Sequence, residues 1–336
     1  MISKRKVRLG LIGLGYIGRR HLRNCLHLKS AELVAVSDIS KKAISFAKAM
    51  GVKRAFQDYN ELLKERTIDA VIIALPNFLH ESCAKAVAAA GKDIFMEKPL
   101  ARNVAEGKEI LSATKKNGTK LMVGYVLRFY GPFRSLKEKI ESGVLGEVEM
   151  VYASKIDSGP FIHRADGHAP VPVPSWWFKK ELTGGGALLD QGCYLINLLR
   201  WYFGEVVDIK SYLGHRFNMD FEDHAICMAK FKCGTIALLK VGWFSKESQT
   251  KVELLGTVKH AVADLSPSNK IISAIQLLTG ITPRFDIPYL SELQHFVHCV
   301  REDLPPSPSG NEALRDLEII SMAYNNQISL NESTIS

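Results

Sequence analysis

The chain is 336 residues long, 46% hydrophobic and 24% charged, with a net charge of +9. That length exceeds what one hydrophobic core usually serves, so two domains are expected, and no apolar run approaches the ~18 residues of a membrane span. The basic residues fall in short groups such as SKRK and KKNGTK rather than one block, which points to a solvated surface and away from a nucleic-acid partner.

The N-terminus imitates a signal peptide but shows no small-residue cleavage site, so a cytoplasmic protein is expected. The six cysteines show no CxxC pair or other metal-ligand spacing; they read as small buried hydrophobes. Taken in order, the first element is a buried strand in VRLGLIGLG, which enters Gly13-x-Gly15-x-x-Gly18 and the helix RRHLRNCLHL. In that setting Gly13 permits a tight turn, Gly15 lets a pyrophosphate approach the backbone, and Gly18 packs helix on strand; Tyr16 and Ile17 lie within the turn. The next strand, ELVAVSD, ends in Asp38, twenty residues beyond Gly18, placed to accept hydrogen bonds from an adenosine ribose. Its charge repels a 2′-phosphate, so NAD is favoured over NADP, although Lys41 and Lys42 lie close by.

Strands and helices continue to alternate. The strand DAVIIAL ends at Leu75, Pro76 and Asn77 in PNFLH, the strand DIFMEKPL ends in Glu97 and Lys98, and a helix over residues 104–116 precedes KLMVGYVL. The pattern predicts a doubly wound parallel sheet, with a ligand at the carboxyl ends of its strands. From about Gly124 the sequence becomes rich in β segments, with a hairpin in KFKCGTIAL. The expectation is α/β: a Rossmann domain over residues 1–123, then an α+β domain over 124–336 with a large, mostly antiparallel open sheet and a last helix returning to the first domain. One face of that sheet needs covering, which predicts a homodimer or homotetramer. In GGGALLDQGCYLINLLRWYFG, Asp190, Tyr194 and Asn197 interrupt an apolar helix at spacings of four and three, placing them along one face. Either each satisfies a neighbouring backbone group, or the face lines a pocket for proton transfer. His295 and His298 share one helix face and read as partly exposed, and no metal is expected.

GLIGLGYIG, PNFLH, Glu97–Leu100 (EKPL), VGYVLRF, GGGALLDQG and the closing ELQHFVHCVREDLPPSPSGNEALRDLEIISMAY together resemble the Gfo/Idh/MocA family of nicotinamide-dependent oxidoreductases. The resemblance implies that Lys98 is the catalytic lysine, with a cis Lys98–Pro99 bond. It implies that Leu75, Pro76, Asn77, His80, Glu97 and Arg128 lie on the cofactor side, Arg128 also facing substrate. Where many members carry Asp, His and Asp on the catalytic helix, this chain has Asp190, Tyr194 and Asn197. A phenol titrates near 10, so Tyr194 needs a cation such as Lys98 to act as base. Asp190 would orient Lys98 or hold a substrate hydroxyl, and Asn197 suits a polyhydroxylated substrate. His163, Arg164, Asp166, His168 and Trp176, in a long proline-containing loop, are further substrate candidates. The implied activity is hydride transfer between NAD and a hydroxyl or keto carbon of a sugar, nucleotide sugar or cyclitol. The competing readings are NAD-dependent glycoside hydrolysis and a non-catalytic dinucleotide or sugar sensor.

Overall fold

Residues 5–161, 173–266 and 287–328 are described by the structure, a computed structural model. Six short apolar segments form the first sheet: β1 (Val7–Ile12), β2 (Ala31–Ser37), β3 (Arg54–Phe56), β4 (Ala70–Ile73), β5 (Asp93–Glu97) and β6 (Leu121–Gly124). All pair in parallel, in the order β3-β2-β1-β4-β5-β6. Strands of such a sheet are covered on both faces, which is why β1, β4 and β6 read as near-continuous hydrophobic runs. The intervening helices are α1 (Tyr16–His27), α2 (Lys41–Ala49), α3 (Tyr59–Leu63), α4 (His80–Ala89) and α5 (Val104–Asn117). Local chemistry sets their ends. The Asn103 side chain accepts from the Glu106 amide at 3.0 Å to start α5, and Gly118, at φ 63°, stops it in the left-handed region. Leu9, Leu11, Val36, Ile72, Phe95 and Met122 pack with Leu22 and Cys25 of α1 into one core. Burial pushes the Cys25 thiol up to about 12, which leaves it an inert hydrophobe.

The chain divides into two compact units, Met1–Phe129 with Pro283–Leu314, and Tyr130–Thr282 with Arg315–Ser336. The first unit keeps the short turn Val126–Phe129 beyond β6 and adds α9 (Ile287–Arg301), whose Leu293, Phe296 and Val297 join its core. The helix before the last thus packs there. The last, α10 (Gly310–Asn325), begins in the first unit and continues in the second from Arg315.

The second unit opens with a helix rather than a strand. α6 (Gly131–Glu141) carries a proline in its first turn and buries Phe133 and Leu136 along one face of a charged stretch. β7 (Val148–Ile156), β8 (Val206–Gly214), β9 (His224–Phe231), β10 (Ile236–Gly242), β11 (Gln249–Gly256) and β12 (His260–Asp264) then form a sheet in the order β12-β11-β7-β10-β9-β8. Every pair is antiparallel except β10 with β7. The KFKCGTIAL hairpin forms, turning at Gly234 with φ 105°. A short α7 (Lys180–Thr183), a five-residue π-helical turn (Leu188–Gly192) and α8 (Cys193–Phe203) follow the loop. On the inward face of β7, Val151 and Ala153 are buried, whereas Met150 and Tyr152 on the other face are exposed.

Candidate active site

Asp38, Gly13, Leu75–Asn77 and Lys98 follow β2, β1, β4 and β5, adjacent strands of one parallel sheet. They therefore share its carboxyl edge, and the strand order reverses between β1 and β4. The three glycines do different work. A Cβ on Gly13 (φ 92°) would lie 2.3 Å from the Ala74 carbonyl oxygen, and one on Gly18 would lie 2.0 Å from that of Gly13. One on Gly15 meets nothing within 4 Å. It would occupy open space at the start of α1, where no side chain caps the helix, the space a pyrophosphate needs. The Asp38 carboxylate is anchored at the same edge. Oδ2 accepts from the Leu14 amide and Oδ1 from the Ser40 amide, both at 2.7 Å. Each oxygen retains a further lone pair for a ribose hydroxyl. These residues fit an NAD molecule, with Tyr16 exposed and Ile17 half-buried beside the turn.

The loops after β4 and β5 are locked from below. The Lys98–Pro99 bond is cis and Lys98 is half-buried. His80 is fully buried, its ring nitrogens 2.9 Å from the Pro99 carbonyl oxygen and 3.0 Å from that of Leu75, and burial lowers its pKa. Instead of presenting its ring to a cofactor, it spans the two loops that carry Pro76, Asn77 and Lys98. Glu97 also differs from its expected cofactor role: it turns inward, with Oε1 2.6 Å from His21 Nε2 of α1, both side chains buried. Arg128 turns inward as well. Buried, it donates from Nη1 to Glu312 Oε1 at 2.8 Å and Ser307 Oγ at 3.2 Å, bracing the proline-containing segment before α10. On α9, His295 Nε2 accepts from the Ser307 amide at 3.3 Å, and burial holds its pKa down.

The polar face of the second-unit helix is not the regular row that its spacing predicts. Asp190 sits within the π-helical turn, whose wider winding separates it from the α-helical register of Tyr194 and Asn197. Asn197 is 0% exposed and donates from Nδ2 to Asp316 Oδ2 at 2.6 Å. Arg200 donates to Asp316 Oδ1 at 2.7 Å. Asn197 is thus an internal tie to α10 through the Asp316 side chain, not a substrate-facing amide, and that partner is a distant side chain rather than a neighbouring backbone group. Tyr194 is 9% exposed and Asp190 half-buried. The turn is fixed by Glu222, whose Oε1 accepts from the Gly186 and Leu188 amides at 3.1 and 2.9 Å and from Tyr324 Oη at 2.8 Å. A Cβ on Gly186 would lie 1.7 Å from the Glu222 carbonyl oxygen, so only glycine lets this segment approach.

Glu222 and Gln191 escaped the sequence reading. Gln191 donates from Nε2 to Asp157 Oδ1 at 2.6 Å and accepts from the Gly242 amide at 3.2 Å. Local sequence carries no mark of a partner dozens of residues away. Trp176, half-buried, stacks on Trp177 with centroids 4.9 Å apart. His163, Arg164, Asp166 and His168 lie outside the described residues. Among the described residues no three His, Cys, Asp or Glu side chains gather as a metal group.

Residues 7–125 match the profile of the oxidoreductase family described as an NAD-binding Rossmann fold, and residues 133–261 match the GFO/IDH/MocA C-terminal domain. The chain is 27% identical to myo-inositol 2-dehydrogenase of Thermotoga maritima, over 91% of this chain and 92% of that protein. It is also 27% identical to scyllo-inositol 2-dehydrogenase (NAD(+)) of Bacillus subtilis, over 94% and 92%. Among solved structures, the WlbA dehydrogenase from Bordetella pertussis in complex with NADH and UDP-GlcNAcA aligns with a TM-score of 0.79 at 26% identity, covering 97% of this chain and 96% of that one. Both halves of the sequence, and the glycine turn that fits the dinucleotide, lead to one assignment: the chain belongs to the GFO/IDH/MocA family of oxidoreductases, with NAD as its cofactor.

Proposed function

We propose that the chain is a dehydrogenase of polyhydroxylated rings, moving a hydride between NAD and a CH–OH carbon of a cyclitol, sugar or nucleotide sugar. The observation that carries this is the match of both domains to one family, together with the open approach at Gly15 and Lys98 at the same sheet edge. The inositol dehydrogenases named above favour a cyclitol among these classes. They also count against the glycoside-hydrolase and sensor readings.

NAD supplies the hydride acceptor at the substrate carbon. The chain's own groups handle binding and the proton. Gly15 and the start of α1 receive the pyrophosphate, and Asp38 the ribose. Lys98 polarises the reacting oxygen, Tyr194 exchanges its proton, and Asp190 holds a neighbouring hydroxyl; Trp176 offers an aromatic wall to a ring. The outer face of the second sheet exposes Met150, Tyr152, Ile226, Met228 and Ile236. A second copy of the chain covers it, giving a homodimer or homotetramer; a one-chain mass by sedimentation would overturn this. A cytoplasmic location agrees with five of the six cysteines being buried free thiols, and recovery in a membrane or secreted fraction would contradict it.

The test follows reduced-nicotinamide absorbance with NAD and a panel of inositols, free sugars and UDP-sugars. Turnover is expected with at least one member. Lys98→Ala is expected to lose about 10²–10⁴-fold in kcat while still binding NAD. Silence across the panel despite NADH binding would overturn the dehydrogenase reading.

A further inference from the structure

Along β7 the inward positions run Val151, Ala153, Lys155 and then Asp157 just beyond the strand. Side chains alternate between the faces of a strand, so Lys155 shares the face of Val151 and Ala153, both buried. In register it lies opposite Val241 of β10 and Thr250 of β11, neither of them charged. A lysine at such a position gives up hydration along most of its length, and its side chain is 18% exposed. Its surroundings suggest why it is there. Nζ lies 3.6 Å from Asp157 Oδ2 and 5.4 Å from the centroid of the Tyr194 ring. Asp157 is held in turn: Oδ1 accepts from Gln191 Nε2 at 2.6 Å and from the Gly159 amide at 2.7 Å. Gln191 belongs to the π-helical turn that leads into α8. Turn, strand end and lysine are therefore one connected assembly around the phenol.

We propose that Lys155 is a positioning residue for proton exchange: its ammonium, fixed by Asp157 over the Tyr194 ring, favours the phenolate form of Tyr194. The inference rests on the proton role proposed for Tyr194. The neutral ring attracts a cation through its quadrupole, and ionisation replaces that weak attraction with a full charge delocalised into the same ring. Other groups act on the phenol as well. Asp157 offsets part of the lysine's field, and Asp190, in the turn before α8, opposes ionisation. From the strands facing Lys155, Val241, Gly242 and Thr250 add no charge, and Gln191 is neutral. The alternative is a partly exposed Lys155–Asp157 ion pair with little consequence, and in that case the phenol would not notice its loss.

The two accounts separate in a titration that needs no substrate. The full chain is labelled with 13Cζ-tyrosine, and the resonance missing from Tyr194→Phe is assigned to Tyr194. Lys155→Met is expected to raise the pKa of that resonance by about one unit, a tenfold loss of phenolate at a given pH, while Lys155→Arg keeps it near the original value. Lys155→Gln serves if the methionine variant folds poorly. With a substrate that turns over, the same variant moves the limb of the kcat profile that reports the base to higher pH and leaves KM unchanged. A Tyr194 resonance that titrates identically in Lys155→Met overturns the inference, even where Tyr194→Phe is inactive. Full turnover by Tyr194→Phe removes the proposed proton role itself, and the inference falls with it.

Discussion

The two six-stranded sheets carry their candidate site residues in opposite ways. In the first, Gly13, Asp38, Asn77 and Lys98 stand on loops at the ends of parallel strands, and backbone geometry places them. In the second, Asp190, Tyr194 and Gln191 stand on a helical segment laid over a mostly antiparallel sheet, and distant side chains fix that segment, Asp157 holding Gln191 and Glu222 the turn. Backbone placement depends on what a residue lacks, above all a Cβ. Partner placement depends on what another residue supplies. The first arrangement fails sterically when altered, and the second fails electrostatically.

The steric side gives the largest expected effect. Gly18→Ala sets a Cβ 2.0 Å from the Gly13 carbonyl oxygen, and no flexible side chain stands there to yield. The variant is expected to lose cooperative thermal unfolding or to drop in Tm by more than ~10 °C. Gly15→Ala meets nothing within 4 Å, so its Tm stays put while its NAD dissociation constant rises by about tenfold or more, as the methyl group enters the pyrophosphate approach. Calorimetry and NAD titration on the pair decide the matter. Equal losses of stability would show that Gly15, too, is a packing glycine.

That contrast also explains what could be read in advance. The alternation of strands and helices, the parallel first sheet and the Gly13–Asp38 edge were legible, since each depends on a short local pattern. α6 was not read, although Phe133, Leu136 and Ile140 recur along it at spacings of three and four. The π-helical turn was not, because a widened turn leaves no residue signature and the spacing of four and three looked like one face. Asn197 shows the cost of that assumption: its partner, Asp316, lies 119 residues away. Lys155 was legible in principle, as the polar residue in phase with Val151 and Ala153, but reading EVEMVYASKID only as a strand passed over it.

The electrostatic side is sharpened by Asn197→Asp. This change sets a second carboxylate against Asp316, with Arg200 already engaged at the other oxygen. Two buried acids at that separation cannot both ionise cheaply, so one pKa rises and the folded state takes up a proton that the unfolded chain releases. The loss is therefore small near pH 4 and grows as pH rises, to about 3 kcal/mol at neutrality. Urea unfolding across that range is the measurement. A variant with unchanged stability but altered KM for the ring substrate would instead return Asn197 to the substrate face.

Glu292 of α9 tests the first unit by the same physics, with a smaller effect. It is fully buried, and neither carboxyl oxygen has a hydrogen-bond partner among the described residues. Burial, reinforced by the nearby Glu97 charge, raises its pKa well above the usual carboxylate value. For an acid whose folded pKa is raised, the folded state holds the proton that the unfolded chain gives up above about pH 4.5. Stability should then fall as pH climbs from there and level off once the folded pKa is passed. Glu292→Met removes the titration and leaves no polar atom to satisfy, so it is expected to match the parent chain near pH 4 and to exceed it by roughly 1–2 kcal/mol at pH 7. Parallel stability curves for the two chains between pH 4 and 8 would mean that Glu292 is ionised and paired in the folded protein. The first unit would then carry a hidden ion pair beneath the Lys98 loop, and the division between a steric and an electrostatic half would no longer hold.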